Sequence, residues 1–220
     1  SAPELFASVQ AATQGSPGLA IGDVLGSNVA NLALILGLTA LVRPVRVDRM
    51  ALRLDIPLML GISLLFGLVA SDLEISRPEG ITGLVLLGLF LGHLYWRSQR
   101  QSEQDREDGD VQEAVLWAER SPVLLVGVLL LGTSGLYFGS EAFVDGARRL
   151  ALDFGVSDRV VGLTVVAFGT SVPELVASGI AALRGQADPA IGNVVGSNLF
   201  NLLLVLGCTA TLTPLPLESN

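Results

Sequence analysis

Long apolar stretches limit this sequence to very few kinds of fold. A helix needs about 20 apolar residues to cross the hydrocarbon layer of a bilayer, and the chain contains six stretches that meet or approach this length. The 220 residues are 50% hydrophobic and only 15% charged, with a mean hydropathy of +0.61. That composition is too apolar for an ordinary soluble domain, so we predict an all-α polytopic membrane protein. The predicted spans are residues 19–42, 51–71, 80–96, 122–142, 160–183 and 187–212.

The charges of the chain exclude one class of partner. The formal net charge is −8 and all 13 basic residues are arginines, which are scattered along the sequence. Phosphate binding needs clustered cations, so we predict inorganic cations and the lipid bilayer as partners and no nucleic acid. The single cysteine, Cys208, lies in an apolar run and excludes a disulfide within the chain. The sequence leaves the oligomeric state open, with a monomer as the default.

A polar, charged segment divides the sequence in two. Residues 97–120 contain most of the charges between the third and fourth spans and are typical of a solvated loop. We therefore predict a first repeat over 1–96, a loop over 97–120 and a second repeat over 121–220. More arginines flank the spans on the side of this loop, which predicts that the loop is cytoplasmic. The compact loop is typical of a bacterial inner membrane protein.

An internal repeat relates the two parts. Laying residue 1 on residue 171 places SAPEL (1–5) on SVPEL (171–175) and GDVLGSNVAN (22–31) on GNVVGSNLFN (192–201), with no gap between the two matches. The second copy lies five spans after the first, an odd number, so the two copies must have opposite orientations in the membrane. Inverted repeats of this kind build transporters that alternate access to a site near the bilayer midplane.

Two carboxylates occupy equivalent places in this repeat. Glu4 and Glu174 lie within apolar helices, where an unpaired carboxylate costs several kcal/mol. Neither apolar stretch contains Lys or Arg, so a metal ion or a proton is the expected partner. Pro173 predicts a break in its helix that frees preceding carbonyls, including that of Ala167, as cation ligands. The alternative, compatible with the first, is a capping box with Ser171 as the N-cap and Glu174 reaching back.

Further oxygen ligands surround the carboxylates in the repeat. Calcium takes six to eight oxygens from carboxylates, carbonyls and amides, and Asn31 and Asn201 supply amides at equivalent places. Each asparagine follows a serine by four residues and so shares a helix face with it. The alternative is that these polar residues only make hydrogen bonds between helices. The hydroxyls that suit sodium are those of Ser1, Ser27, Thr170, Ser171 and Ser197.

These motifs resemble those of the cation/calcium exchanger superfamily, whose two repeats carry G-T-S-x-P-E in one helix and G-S-N-x-x-N/D in the next. Residues 169–174 and 196–201 match both patterns, and residues 1–4 and 26–31 match all but the leading Gly-Thr. The resemblance implies ten helices in two inverted halves, with discontinuous helices at the ion site. This chain, which opens on Ser1 inside a motif, would be a fragment holding the end of helix two through helix eight. The implied ion ligands are Ser1, Glu4, Ser27, Asn31, the carbonyl of Ala167, Thr170, Ser171, Glu174, Ser197 and Asn201.

The resemblance implies a secondary antiporter that exchanges Ca2+ for Na+, with no cofactor. The alternative within the superfamily is exchange of Ca2+ or another cation for H+. Some sodium/calcium exchangers have Asp where this chain has Asn201, so this site is expected to offer two carboxylates. Two carboxylates balance one calcium ion, two sodium ions or two protons, which leaves the counter-ion and the stoichiometry open.

A different class, an intramembrane serine protease, has weak support. The run GTSG over 132–135 matches a G-x-S-G pattern, but such a serine needs a general base. The only histidine, His93, is predicted at the end of its span. An aspartyl protease is no better supported, because the repeat equivalent of Asp23 is Asn193 and no pair of aspartates results. We predict that the protein is not an enzyme.

Overall fold

The computed structural model describes residues 1–42, 47, 51–101, 122–183 and 189–217, and this part of the chain is almost entirely helical. Several α-helices continue directly into π-helical turns, which we label π1 to π4. The α-helices are α1 (Ala2–Thr13), α2 (Pro17–Ala30), α3 (Leu36–Val42), α4 (Ile56–Val69), α5 (Arg77–Gln101), α6 (Pro122–Phe154), α7 (Asp158–Val161), α8 (Ala167–Leu183), α9 (Pro189–Phe200) and α10 (Leu206–Leu212). The π-helical turns are π1 (Asn31–Ile35), π2 (Ala51–Asp55), π3 (Gly162–Val166) and π4 (Asn201–Val205), and a 3-10 turn covers Ala70–Asp72.

The predicted spans are confirmed, because six helical segments in the described part of the chain are long and apolar enough to cross a membrane. They differ in how deeply they are buried: 61% of the apolar window of the last span lies inside the protein, but only 6% of that of the second span. The last span is therefore central and the second is peripheral. The six segments are Pro17–Leu41, Ala51–Asp72, Arg77–Trp96, Val126–Phe154, Asp158–Ile180 and Ile191–Leu212.

The predicted central loop falls largely outside the described residues. Helix α5 continues to Gln101, beyond the predicted end of the first repeat. Residues 102–120 are not described, so the division into 1–96, 97–120 and 121–220 and the side of the membrane on which the loop lies stay predictions.

The sequence repeat is also a structural repeat. Two π-helical turns begin at equivalent asparagines, Asn31 and Asn201, and each is five residues long. Each turn follows a helix that carries the G-S-N motif and is followed by a seven-residue α-helix. A π-helical turn inside an α-helix often marks a functional site, and both of these turns begin at a predicted ligand.

The helix that contains Pro173 differs from the prediction. It stays α-helical from Ala167 to Leu183, with Pro173 in its interior and Ser171 within it rather than at its N-cap. The discontinuity lies earlier, at the π-helical turn Gly162–Val166. Pro173 has no N–H to donate, so the carbonyl four residues before it, that of Gly169, loses its helical partner. The predicted break and the capping box at Ser171 are therefore wrong, because the surrounding packing keeps the proline inside one helix.

Close packing of glycines brings α2 against the segment that leads into α8. A Cβ placed on Gly22 would lie 2.6 Å from the carbonyl oxygen of Arg159 and 2.7 Å from the amide nitrogen of Leu163, and one on Gly26 would lie 2.5 Å from the carbonyl oxygen of Leu163. The two backbones are therefore nearly in contact, as small residues permit between membrane helices. This crossing places the polar face of α2 beside the start of α8.

Two short strands are an exception to the predicted all-helical structure. Strand β1 (Glu74–Ile75) follows the second span and pairs antiparallel with β2 (Leu215–Pro216), which follows the sixth. The amide of Leu217 also donates to the carbonyl of Leu73 at 2.8 Å. These bonds tie the ends of the two spans together.

Candidate cation-binding site

The two predicted carboxylates face a common point. Glu4 on α1 is 1% exposed and the side chain of Glu174 on α8 is 13% exposed. The backbone nitrogen of Ser1 lies 2.8 Å from Oε1 of Glu174 and 3.6 Å from Oε2 of Glu4, so the two carboxylates face one point. The chain has no Lys, and among the described residues no Arg side chain forms a salt bridge with either glutamate. Two carboxylates that face one point can together bind a cation.

Four asparagines form a symmetric pair of hydrogen bonds between the repeats. Nδ2 of Asn31 donates to Oδ1 of Asn198 at 2.9 Å, and Nδ2 of Asn201 donates to Oδ1 of Asn28 at 3.0 Å. The predicted alternative of hydrogen bonds between helices is therefore correct for the amide nitrogens. The Oδ1 atoms of Asn31 and Asn201 are buried and have no hydrogen-bond partner. The amides thus fix the side chains and leave their oxygens to accept another ligand.

A second group of oxygens lies where α2 meets α8. The hydroxyl of Ser27 lies 3.4 Å from the carbonyl oxygen of Ala167 and 3.2 Å from the hydroxyl oxygen of Thr170. Ser27 is fully buried, and Thr170 is 5% exposed. We call these three oxygens the hydroxyl half-site. Neutral hydroxyls and a carbonyl are ligands that hard cations accept.

The remaining predicted serines differ in their surroundings. Ser1 donates from its hydroxyl to the carbonyl of Ser197 at 3.4 Å, so the backbone of Ser197 makes this contact. Ser171 is 3% exposed and its hydroxyl has no hydrogen-bond partner. The turn π1 contacts α8, and π4 contacts α1, so each asparagine turn lies beside the carboxylate helix of the other repeat.

Buried oxygens without partners are concentrated in the predicted site. Eight buried side-chain atoms in the described part of the chain have no hydrogen-bond partner, and five of them belong to predicted ligands. An unpaired buried polar atom costs roughly 1–3 kcal/mol, so this concentration needs a compensating ligand. All five are oxygens, as a hard cation would require. They are Oε2 of Glu4, Oε2 of Glu174, Oδ1 of Asn31, Oδ1 of Asn201 and Oγ of Ser171.

Sequence reasoning missed a third buried carboxyl group. Asp23 on α2 is fully buried and accepts hydrogen bonds from Ser8 at 2.7 Å and from Thr170 at 2.9 Å. Asp23 was given no role because its repeat equivalent, Asn193, yields no pair of aspartates. The signal was its spacing: Asp23 precedes Ser27 by four residues and therefore shares its helix face. Asn28 and Asn198 were also missed, although both stand in the G-S-N motifs.

The site is assembled mainly from separate oxygens. In the described ranges, no group of three His, Cys, Asp or Glu side chains lies close enough together to hold a metal ion. Asp23 is therefore not part of one cluster with Glu4 and Glu174. Amides, hydroxyls and carbonyls must complete any coordination shell, as they do in oxygen-rich calcium sites.

The serine protease alternative finds no support in the geometry. Ser134 lies on an exposed face of α6 and His93 on an exposed face of α5. No hydrogen bond joins them among the residues that the structure describes. The glycines of this part of α6, Gly135 and Gly139, instead line a cavity of about 180 Å³ that also reaches Thr170.

Comparisons with known proteins show which family this chain resembles. A family model described as "Sodium/calcium exchanger protein" matches residues 1–97 and 124–220. The chain is 41% identical to the inner membrane protein YrbG of Escherichia coli, with 97% of this chain and 66% of that protein covered. It is 31% identical to the sodium/calcium exchanger MaX1 of Methanosarcina acetivorans, with 98% and 71% covered.

A solved structure has the same fold. The structure of the sodium-calcium exchanger NCX_Mj superposes with a TM-score of 0.66 at 34% identity, covering 98% of this chain and 68% of that one. The chain thus spans about two thirds of the length of the proteins that it matches.

Proposed function

This chain belongs to the sodium/calcium exchanger family, and from that premise we propose that the protein exchanges Ca2+ for Na+ across a membrane by alternating access around Glu4 and Glu174. It is a multi-pass membrane protein, and its family consists of transporters rather than enzymes. The observation that carries the proposal is the group of five unpartnered buried oxygens on residues of both repeats. Two of the five are carboxylate oxygens, one on Glu4 and one on Glu174.

Charge balance explains how two different ions use one site. A calcium ion between Glu4 and Glu174 neutralises both carboxylates, and two sodium ions do the same. The oxygens of Asn31, Asn201 and Ser171 complete the shell of calcium, which takes six to eight oxygens. The hydroxyl half-site of Ser27, Thr170 and the Ala167 carbonyl lies beside the carboxylate of Asp23 and suits a monovalent sodium ion. Ser1 and Ser197 supply further oxygens beside Glu174.

The inverted repeats provide the two states of the cycle. Related halves packed around a common site can rock to expose it to one side or the other. A neutralised site can lie in the apolar interior during this movement, whereas two uncompensated carboxylates cannot do so cheaply. The protein therefore switches between its two access states with either ion bound and resists switching when the site is empty. This couples calcium transport to sodium transport.

Location and counter-ion are part of the same proposal. The E. coli relative is an inner membrane protein by name, and we place this protein in a bacterial inner membrane with the loop 97–120 in the cytoplasm. Protons are the alternative counter-ion, because they can also neutralise two carboxylates.

Calcium uptake into liposomes tests the proposal. The full-length gene product that contains this sequence is reconstituted with sodium inside and diluted into sodium-free buffer with 45Ca2+. We expect uptake that needs the sodium gradient, that is lost in Glu174→Gln, and that persists in Glu141→Gln, which alters an exposed carboxylate on α6. Uptake driven by a pH gradient alone would support the proton alternative, and no uptake under either gradient would contradict calcium exchange.

A further inference from the structure

Asp23 joins the hydroxyl half-site to a second hydroxyl on α1. Its Oδ2 accepts from Ser8 at 2.7 Å and its Oδ1 accepts from Thr170 at 2.9 Å, and the residue is fully buried. The equivalent contact in the other repeat is weaker and neutral: Nδ2 of Asn193 donates to the hydroxyl of Ser178 at 3.3 Å. At this pair of equivalent positions, the first repeat therefore has a carboxyl group, Asp23, and the second has a neutral amide, Asn193.

The position of the Thr170 proton decides what its oxygen can bind. A hydroxyl has one proton and two lone pairs, so it coordinates a cation only if its proton points elsewhere. A carboxylate is a stronger acceptor than a carbonyl or a hydroxyl, and it also makes the shortest of the contacts available to this proton. The four acceptors within reach are Oδ1 of Asp23 at 2.9 Å, the carbonyl of Val166 at 3.1 Å, the carbonyl of Ala167 at 3.2 Å and Oγ of Ser27 at 3.2 Å.

We propose that Asp23 is a positioning residue for sodium: it accepts the hydrogen bond that the Thr170 hydroxyl donates and thereby leaves the Thr170 lone pairs and the Ala167 carbonyl to bind the ion. The inference rests on the proposed function, since it assigns the hydroxyl half-site to sodium. Asp23 acts through Thr170, and no hydrogen bond among the described residues joins it to Glu4 or Glu174, so it tunes sodium binding more than calcium binding. Ser8 holds the second carboxylate oxygen and keeps the first one aimed at Thr170.

The test measures sodium and calcium separately in the full-length protein. Exchange is assayed in liposomes against sodium concentration and against calcium concentration for the wild type, Asp23→Asn and Asn193→Ala. We expect Asp23→Asn to raise the sodium concentration for half-maximal exchange about tenfold, as loss of an outer-shell partner does at metal sites, and to change the calcium value less than twofold. Asn193→Ala, at the equivalent position outside the half-site, should change neither value.

A double-mutant cycle shows whether Asp23 acts through Thr170. In the background Thr170→Ala, adding Asp23→Asn should raise the sodium requirement no further, because the group that it positions is already gone. Additive effects of the two substitutions, or equal losses of sodium and calcium dependence, would overturn the proposal. Asp23 would then serve only to hold α1, α2 and α8 together through its hydrogen bonds.

Two further measurements keep the test decisive. If Asp23→Asn does not reach the membrane, Asp23→Glu replaces it: this variant keeps a carboxylate but moves its oxygens by one methylene, and a wild-type sodium requirement in it would overturn the proposal. Failure of calcium exchange in the wild-type protein would instead contradict the proposed function, so the two failures are distinguishable.

Discussion

Asn31 and Asn198 join the two repeats at the candidate cation site. Nδ2 of Asn31 donates to Oδ1 of Asn198 at 2.9 Å, and the equivalent pair, Asn201 and Asn28, repeats the bond at 3.0 Å with the repeats exchanged. Nδ2 of Asn28 and of Asn198 also lie 3.5 and 3.4 Å from each other's backbone carbonyls. The pairing sets the orientation of each ligand amide, because the nitrogen is held and the oxygen is left over. The orientation of each amide therefore depends on a residue of the other repeat.

Replacing the acceptor of this bond tests its role in orientation. Asn198→Ala removes the partner of the Asn31 nitrogen, so the amide is free to rotate and its oxygen is no longer fixed. We expect the calcium concentration for half-maximal exchange to rise about tenfold, the lower end of the range for outer-shell partners. The measurement is 45Ca2+ uptake in liposomes as a function of calcium concentration.

The control for Asn198→Ala lies on the same helix. Asn193→Ala removes an exposed amide that bonds only to Ser178 among the described contacts. It should leave the calcium requirement within twofold of the wild type. Equal effects of the two variants would show that the loss reflects general damage to α9.

Parts of this site could be predicted because they depend on residue type and order alone. Glu4 and Glu174 are carboxylates in apolar helices at equivalent places, and any folded state must compensate them. Asn28 and Asn198 could not be predicted as the hydrogen-bond partners of Asn201 and Asn31, because which asparagines meet depends on how the helices pack, and the sequence does not reveal that packing.

Two expectations failed because tertiary contacts outweighed local preference. Proline disfavours a helix interior, yet Pro173 lies inside α8 and the irregular turn is at Gly162–Val166. Asp23 was set aside because its repeat equivalent is an amide, but burial and the donors Ser8 and Thr170 make it part of the same network. The predicted count of two carboxylates omitted this third group, which internal symmetry could not identify.

Calcium should stabilise the folded protein through its two carboxylates. A ligand that binds only the folded state at 100 times its Kd adds about 2.7 kcal/mol of stability, so the Tm of the detergent-solubilised protein should rise on adding CaCl2 and fall back on adding a chelator. In Glu4→Gln with Glu174→Gln this rise should disappear, because the amides carry no charge. Glu141→Gln should retain it. A calcium-dependent rise that persists without both glutamates would place the binding site elsewhere.

The contact at Gly22 should tolerate no added methyl group. In Gly22→Ala the Cβ would lie 2.6 Å from the carbonyl oxygen of Arg159, so the backbones of α2 and the following segment must separate. Overpacking of this kind costs about 1–3 kcal/mol, which lowers the Tm and shifts Ser27 away from Thr170. Gly127→Ala is the control, since no atom lies within 4 Å of its added Cβ, and its Tm should not fall. An unchanged Tm in Gly22→Ala would contradict the close crossing.

Replacing Ser171 tests two separate effects of its hydroxyl group, one on the stability of the protein and one on calcium binding. Its Oγ is buried and has no hydrogen-bond partner, so Ser171→Ala breaks no bond within the protein. Removing an unpaired buried polar group is neutral or stabilising, by up to about 1–3 kcal/mol. We therefore expect the Tm without calcium to stay the same or to rise. The calcium requirement for exchange should increase, because the ion loses one oxygen ligand.

The opposite signs of these two effects distinguish a ligand from a packing residue. A serine that served only packing or hydrogen bonding would lower the Tm when truncated and would leave ion dependence unchanged. Ser63→Ala is a suitable reference, because Ser63 donates to the carbonyl of Met59 within its own helix and lies on an exposed face. It should change the free energy of unfolding by no more than about 0.5 kcal/mol, so that the Tm hardly moves. It should also leave the calcium requirement unchanged. A lower Tm with unchanged calcium dependence in Ser171→Ala would contradict a role of Ser171 as a calcium ligand. That result would mean that its hydroxyl bonds to another group of the protein and does not contact the ion.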